Sequence, residues 1–243
     1  MSEMICPTPR LVIPFLLLVG WTALSHTEAA GPAETGFQLY HPGHADDAAV
    51  SAEESDGVVS GDKRWILERK KPSQSRLQKD GLEIQTGRGG TLIYKLSRNP
   101  ANGWNVSPEA TIEIRAKILQ QLSPQGALTL MFSNGIVIGS LSIGTNGFHL
   151  SNRSFRSGFN FEEWTVFRIL LTQWDTDQPG GELFVNGEPI EDLGASRIFS
   201  PDAMGKPILR FGDMSSSPSG VGGTSLVDYL KWSVEAAIAP QAN

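Results

Sequence analysis

The residues from Asp175 to Gly180, D-T-D-Q-P-G, have the types and spacing that begin a calcium-binding loop. Such a loop has Asp at its first and third positions and Gly at its sixth, because carboxylate oxygens bind Ca²⁺ and glycine permits the sharp turn. Pro179 at the fifth position offers only its backbone carbonyl, and the distal bidentate glutamate is not at its expected distance. The sequence therefore leaves two hypotheses for Asp175 and Asp177, a Ca²⁺ site or a solvated hairpin turn.

Paired carboxylates are the second chemical possibility, because retaining glycosidases hold two carboxyl groups about 5–5.5 Å apart. On a strand, a spacing of two residues points both groups to one face. The pairs Glu162-Glu163 and Glu191-Asp192 are adjacent in sequence and would point apart, while Glu113 shares its face with Arg115 and Lys117. We therefore predict no catalytic residues and favour a protein without enzymatic activity.

Histidine and serine chemistry is also poorly represented. The sequence has no Gly-x-Ser-x-Gly motif, and three of its four histidines are His41, His44 and His149. His149, in the strand-like segment G-F-H-L-S, is interpreted as a half-buried structural side chain. His41 and His44, in H-P-G-H-A-D-D, have ligand types suited to a metal ion. A flexible linker is the favoured interpretation of that segment, because nothing in its composition would order the ligands.

Several tryptophans could form a sugar-binding surface, because flat aromatic rings pack against the C–H groups of sugars. Trp104 lies in the polar segment N-P-A-N-G-W-N-V-S-P. In the long strand-like segment E-W-T-V-F-R-I-L-L-T-Q-W, Trp164, Arg168 and Trp174 share one parity, opposite an apolar set interpreted as core. We name these four residues as candidate ligand-binding residues, and burial in the core is the alternative for each tryptophan.

The charge balance narrows the class of ligand. The formal net charge is -6, which argues against polyanion binding as the main role, and we predict no nucleic acid as a partner. No Gly-rich phosphate-binding loop follows a strand and precedes a helix. The basic segment from Lys63 to Lys79 stands out on this acidic chain. Contact with an anionic polysaccharide and a solvated strand with its loop are the two hypotheses for it.

The elements that must position these residues are short strands. The segment A-T-I-E-I-R-A-K-I alternates apolar residues from Ile112 to Ile118 with Glu113, Arg115 and Lys117. This period of two predicts a strand with one buried face. The dipeptide Asn186-Gly187 predicts a tight hairpin. About a dozen such strands without a helix predict an all-β fold in which two antiparallel sheets pack face to face.

The C-terminal half resembles a LamG-like, concanavalin A-like domain. The segments that carry the resemblance are a strand starting at Trp164, Val185-Asn186-Gly187, Phe211-Gly212-Asp213, and Asp228-Tyr229 followed by Trp232. The resemblance covers roughly residues 65–233 and implies a jelly-roll sandwich. It also implies Ca²⁺ as a candidate cofactor, bound through acidic residues near one rim. The implied metal ligands are Asp175, Asp177, Asp213 and Asp228.

The N-terminus is typical of a secretory signal segment. Arg10 precedes the apolar run from Leu11 to Val19, and small residues follow near Ala29. The run is shorter than the roughly 20 apolar residues that a membrane-spanning helix requires. An uncleaved anchor is the alternative. Cys6 precedes the run, so the chain after cleavage would contain no thiol.

These features predict four segments and a cellular address. The segments are a signal at residues 1–29, a flexible leader at 30–62, a jelly-roll domain at 63–235 and a tail at 236–243. We predict that the protein is secreted, periplasmic or at the cell surface, with no membrane span after signal cleavage. The oligomeric state is left open.

The predicted function is that of a secreted, non-catalytic β-sandwich module that binds a polysaccharide, another glycan or a surface ligand. A glycoside hydrolase or lyase of the same fold is one alternative, and it would require carboxylates paired across neighbouring strands. A structural or adhesion module is the other, and it would show a contiguous apolar patch.

Overall fold

A computed structural model describes residues 37–40, 65–70, 73–87, 90–96, 104–151, 153–155, 160–192, 199–214 and 222–240. The chain divides into a unit of residues 1–34 and a unit of residues 35–243, and all described residues belong to the second. The predicted signal segment, His41 and His44 lie outside the described residues. No helix occurs in the described ranges.

Within the described residues, sixteen antiparallel strands form two sheets of eight strands each. The strands of the first half are β1 (Gln38–Tyr40), β2 (Trp65–Lys70), β3 (Ser73–Gln78), β4 (Gly81–Thr86), β5 (Thr91–Leu96), β6 (Glu109–Gln121), β7 (Leu128–Asn134) and β8 (Val137–Ile143). Those of the second half are β9 (Phe148–Leu150), β10 (Arg153–Phe155), β11 (Thr165–Thr172), β12 (Gly180–Val185), β13 (Glu188–Asp192), β14 (Ser200–Pro201), β15 (Pro207–Asp213) and β16 (Gly223–Ser233).

The two sheets face each other as the sequence predicts. Sheet A has the order β13-β12-β11-β6-β16-β4-β3, with β1 added beside β16. Sheet B has the order β10-β9-β8-β7-β15-β5-β2, with β14 added beside β8. Many neighbours in each sheet are distant in sequence, as in β6 beside β16, which is the crossover pattern of a jelly roll. The all-β, two-sheet jelly-roll prediction is confirmed.

The core lies between the sheets, and alternation along the strands selects it. On β6, the side chains of Ile112, Ile114 and Ile118 have no exposed surface, and Ala116 is 2% exposed. Burial of one such isoleucine stabilises the fold by about 1.5–3 kcal/mol. Because a slip of one residue would turn all of them outward, this burial also fixes the register of β6. The intervening charged residues therefore occupy the outer face of sheet A.

A β-bulge in β16 interrupts this alternation. Val227 and Leu230 are both fully buried although they are three residues apart, which simple alternation does not allow. The register of β16 against β6 shifts between Val227 and Tyr229. The extra residue places two consecutive polar side chains, Asp228 and Tyr229, on the outer face of sheet A.

The predicted hairpin between β12 and β13 is confirmed. Asn186 and Gly187 form a two-residue turn between the paired residues Val185 and Glu188. Their φ angles are 52° and 86°, the left-handed conformations that a primed turn requires.

Both terminal segments lie against sheet A. Strand β1 falls within the segment predicted to be a flexible leader, yet its residues 38–40 pair with residues 230–232 of β16. The predicted tail is also attached, because Thr111 Oγ1 donates to the carbonyl of Ala236 at 2.8 Å and accepts from the amide of Ile238 at 2.8 Å. Residues 38–40 and 236–238 therefore contact sheet A, and the domain limits of 63 and 235 stay predictions.

Candidate functional site

The outer face of sheet A carries most of the clustered polar side chains, and it divides into two parts. The covered half consists of Glu113, Arg168, Tyr229 and Lys231. The open half consists of Trp164, Arg115, Lys117 and Asp228. Strands β11, β6 and β16 lie side by side and supply both halves, so the cross-strand register decides which side chains meet.

The covered half is centred on Glu113. In the register, Glu113 is opposite Arg168 of β11 and Lys231 of β16. Its Oε1 accepts hydrogen bonds from the Tyr229 hydroxyl at 2.7 Å and from Lys231 Nζ at 2.9 Å, and its Oε2 accepts from Arg168 Nε. The Glu113 and Arg168 side chains are 3% and 8% exposed. One carboxylate is thus held by three donors in a site with little water.

This environment fixes the protonation states. Burial acts to raise the pKa of Glu113, but the hydrogen bonds from Lys231 and Tyr229 and the charges of Lys231 and Arg168 outweigh it, so the pKa lies below its usual value. Burial, followed by the charge of Glu113 and the hydrogen bond to it, raises the pKa of Tyr229. Glu113 is therefore an anion and Tyr229 a neutral donor at neutral pH.

The two terminal segments cover this half. The ring of Phe37 lies 5.1 Å from Lys231 Nζ and 5.6 Å from the guanidinium carbon of Arg168. Arg168 Nη1 also donates to the carbonyl of Ile238 at 3.3 Å. Arg168 thus lies on the outer face as its parity predicts, but covered from solvent.

Glu113 has the wrong surroundings for general acid–base catalysis. Both of its oxygens already accept hydrogen bonds, and a lowered pKa opposes proton donation at neutral pH. Its partners in the register are the cations Arg168 and Lys231, where a retaining glycosidase would need a second carboxylate. The geometry is that of a structural ion cluster.

The open half is built around Trp164, which directly precedes β11 and is half-buried. Lys117 Nζ lies 4.9 Å and the guanidinium carbon of Arg115 lies 5.4 Å from the centre of its ring. A Cβ atom added to Gly81, the first residue of β4, would lie 3.3 Å from Trp164 Cη2. The indole therefore extends from β11 across β6 and β16 to the glycine of β4.

An ion pair borders the indole in the open half. Arg115 Nη1 lies 3.0 Å from Asp228 Oδ2, and these side chains are 29% and 20% exposed. The bulge in β16 aims Asp228 at Arg115, since it brings Asp228 and Tyr229 to the same face. This half combines an aromatic surface with solvent-accessible donors and an acceptor.

Two of the four predicted ligand-binding residues lie in the core. Trp104 is 8% exposed and donates its Nε1–H to the carbonyl of Ser133 at 3.1 Å, while Trp174 is fully buried. Their ring centroids are 6.4 Å apart. Trp174 does not share a face with Arg168, which corrects the parity argument. Gln173 has a φ of 51°, so alternation ends at β11 and the next side chain turns inward.

The four predicted metal ligands do not come together. Asp175 and Asp177 are exposed in the turn after β11, which Asn134 holds by donating to the carbonyls of Trp174 and Thr176 at 2.6 and 2.9 Å. Pro207, at the start of β15, pairs with Asn134, and Asp213 lies at the other end of that strand, about 20 Å away at the rise of an extended strand. Asp213 is buried in sheet B, and Asp228 belongs to sheet A.

No described group of three or more histidine, cysteine, aspartate or glutamate side chains is arranged to hold a metal ion. The turn at Asp175 and Asp177 is closed by Thr176 instead, whose hydroxyl donates to the carbonyl of Gln173 at 2.8 Å and accepts from the amide of Gln178 at 3.2 Å. This hydrogen bonding is that of a hydroxyl-stabilised hairpin turn.

Sequence inspection missed the role of Tyr229, Lys231 and Phe37. One signal was present for Tyr229, because the odd spacing of the apolar residues Val227 and Leu230 predicts a bulge. No local signal identifies Phe37, because its contacts are with strands more than 100 residues away.

Comparison with known proteins places the fold. No family model matches the sequence, and no curated protein matches it. The structure is similar to that of a Crh5 transglycosylase in complex with NAG, with a TM-score of 0.52, 11% identity, and coverage of 83% of this chain and 85% of that one. It is also similar to a carbohydrate esterase from the Shiga toxin-encoding bacteriophage phi24B, with a TM-score of 0.50, 10% identity, and coverage of 82% and 100%.

At these identities the similarity shows a shared β-sandwich fold, and function must be argued from the site. The described part of the chain has no helix with the length and hydropathy needed to cross a membrane.

Proposed function

We propose that this protein is a secreted, non-catalytic β-sandwich module of the LamG-like type that binds carbohydrate at the open half of sheet A. The observation that carries the proposal is the half-buried indole of Trp164, which lies across neighbouring strands beside Arg115, Lys117 and Asp228. A pyranose ring can pack on such a surface while the polar side chains bind its hydroxyl groups.

The polar border of the site suits this role. Further along the outer face, Glu83 of β4 accepts hydrogen bonds from Arg76 at 3.3 Å and from Gln78 at 3.2 Å, both on β3. Sugar hydroxyls are bound by side chains of this kind, held in place by their neighbours. The described strands β3, β4, β16 and β6 thus place polar side chains on the same face as the Trp164 ring, and an extended glycan chain can lie along that face.

Binding without catalysis is supported by the state of the carboxylates. Glu113 is held by three donors, and Asp228 is held by Arg115. A hydrolase needs one carboxyl group that can protonate a leaving group and a second one close to it. The ion pairs on the outer face oppose that arrangement.

The test is to apply the purified chain to a glycan and polysaccharide array, with Ca²⁺ and then with a chelator. We expect binding that Trp164→Ala weakens at least about tenfold, because aromatic residues at the centre of a site carry much of the binding free energy. Ile136→Ala is the matched control, because Ile136 is a large exposed apolar residue in a turn of sheet B.

Each outcome has a defined meaning. Binding that survives Trp164→Ala would overturn the site, and a blank array would overturn carbohydrate binding altogether. Release of new reducing ends from any bound glycan would overturn the non-catalytic assignment. Loss of binding with chelator, and its loss in Asp175→Asn, would restore a Ca²⁺ role for the turn after β11.

A further inference from the structure

Lys117 of the open half contacts the aromatic ring and, in the described part of the chain, has no carboxylate partner. Arg115 is paired with Asp228, and Arg76 is paired with Glu83. Within the described residues, Lys117 has no carboxylate at ion-pair distance, and its contact is with the Trp164 ring at 4.9 Å. Among the described residues, the cation nearest to the centre of the Trp164 ring is therefore one that no carboxylate pairs with.

The charges of this surface also differ in sign from those of the chain. The outer face of β3, β4, the second part of β6 and the first part of β16 carries three cations and two carboxylates, a formal charge of +1, whereas the whole chain has −6. Its charged residues are Arg76, Glu83, Arg115, Lys117 and Asp228. These five side chains favour an anionic ligand at this place, while the exposed Glu162 and Glu163 in the turn before Trp164 add two negative charges nearby.

The donors at the indole favour the same class of ligand. Lysine and arginine only donate hydrogen bonds, so the groups nearest the ring suit a sugar substituent that accepts them. A carboxylate or sulfate group is an anionic acceptor, and hydrogen bonds to it are shorter and stronger than those between neutral groups. A neutral sugar would satisfy Lys117 less well.

From this geometry we infer that the glycan bound at Trp164 is acidic, with a carboxylate or sulfate group that meets Lys117. The inference depends on the proposed function and adds the class of ligand. The sugar ring packs on the indole, its anionic group binds the Lys117 ammonium, and Arg115 with Asp228 borders the site.

Two carboxylates next to this site provide a further test of whether the ligand is acidic. Glu162 and Glu163 are exposed in the turn that precedes Trp164. Exposed charges interact across roughly 8 Å at physiological ionic strength, so these glutamates would weakly repel an acidic glycan. Their replacement by glutamine should raise its affinity.

The experiment compares a polyuronate with its methyl ester, which has the same backbone without the charge. We expect the purified full chain to bind the polyuronate at least about fivefold more tightly than the ester, less so at high salt. Lys117→Met should remove that preference, because it weakens binding of the polyuronate more than binding of the ester. Lys206→Met is the control, since Lys206 is an exposed lysine in the loop before β15 of sheet B.

Further measurements distinguish a carboxylate from a sulfate group on the glycan. They also separate the inference of an acidic ligand from the proposed function. A sulfated galactan and its desulfated form test sulfate in place of carboxylate. Glu162→Gln combined with Glu163→Gln should raise polyuronate affinity by about twofold, as expected for screened exposed charges. Unchanged thermal midpoints of the variants would show that each one folds.

If the polyuronate and the sulfated galactan each bind no more tightly than their uncharged counterparts, the acidic ligand is overturned. The proposed function still stands in that case if Trp164→Ala abolishes the binding. Binding of neutral glycans alone would have the same meaning. Failure of every glycan, charged or neutral, would overturn the proposed function as well.

Discussion

The two halves of the outer face of sheet A use the same residue types for opposite purposes. Glu113 and Arg168 in the covered half are 3% and 8% exposed, whereas Asp228 and Arg115 in the open half are 20% and 29% exposed. A buried ion pair must be fully satisfied, because an uncompensated charge without water is costly. An exposed pair contributes little to stability and stays available to a ligand. Cover alone therefore separates a structural cluster from a candidate binding surface.

The cover comes from the two ends of the domain. Phe37 packs over Arg168 and Lys231, while residues 236–238 bond to the end of β6. Trp164, in contrast, reaches only from β11 to Gly81 of β4 and remains half-buried. We therefore expect substitutions in the covered half to lower the free energy of unfolding and substitutions in the open half to weaken glycan binding.

The largest expected effect is that of Glu113→Gln. The substitution leaves Arg168 and Lys231 in a buried site without their anion, and we expect it to lower the free energy of unfolding by about 3–5 kcal/mol. Urea unfolding at neutral pH measures it. Asp228→Asn is the matched control in the open half, with an expected loss below about 1 kcal/mol. Equal losses at the two positions would show that the covered and the open carboxylate contribute equally to stability.

Tyr229→Phe should have the next largest effect. It removes the hydroxyl that donates to Glu113 at 2.7 Å, and a hydrogen bond to a charged group contributes about 1.5–3 kcal/mol. Tyr94→Phe serves as the control, because the Tyr94 hydroxyl donates to the neutral hydroxyl of Ser75 at 2.7 Å. We expect a smaller loss there, about 0.5–1.5 kcal/mol. The reverse order would show that the hydrogen bond from Tyr229 to Glu113 stabilises the fold less than the bond from Tyr94 to Ser75.

Phe37→Ala tests the cover itself. The ring contacts two cations, and each such contact contributes about 0.5–1 kcal/mol, so the expected loss in unfolding free energy is about 1–2 kcal/mol. Amide hydrogen exchange of residues 38–40 should become faster, because the ring helps to hold β1 on β16. Unchanged exchange and stability would mean that the covered half is closed by residues 236–238 alone.

Acid should have the smallest effect of this series. The pKa of Glu113 is lowered in the folded protein, so its contribution to stability is full above the ordinary value of 4.5 and declines as pH falls through the folded pKa. Just below pH 4.5 the Glu113 carboxyl of the folded protein is only partly protonated, so the loss of unfolding free energy there is small. The difference in unfolding free energy between the native chain and Glu113→Gln should therefore narrow as pH falls from 5 to 3. A constant difference would mean that Glu113 keeps its ordinary pKa.

Local sequence patterns predict much of the fold. The alternation from Ile112 to Ile118 assigned the faces of β6, and Asn186-Gly187 located a hairpin, because both depend on neighbours in sequence. The tryptophans show where such patterns fail. Parity grouped Trp164 with Trp174, but the positive φ of Gln173 ends the strand between them and sends Trp174 into the core. A single backbone angle, fixed by packing, reversed that prediction.

Alternation in the sequence is sufficient to place Glu113, Arg115, Lys117 and Arg168 on the outer face, since a period of two with a buried opposite face permits no other register. Which of these side chains are covered depends on tertiary contacts. Arg168 donates a hydrogen bond to a carbonyl 70 residues away in the sequence, and Thr111 donates one to a carbonyl 125 residues away. Contacts at such separations depend on the jelly-roll crossovers and on where residues 37–40 and 236–238 lie, and short-range patterns do not encode that information.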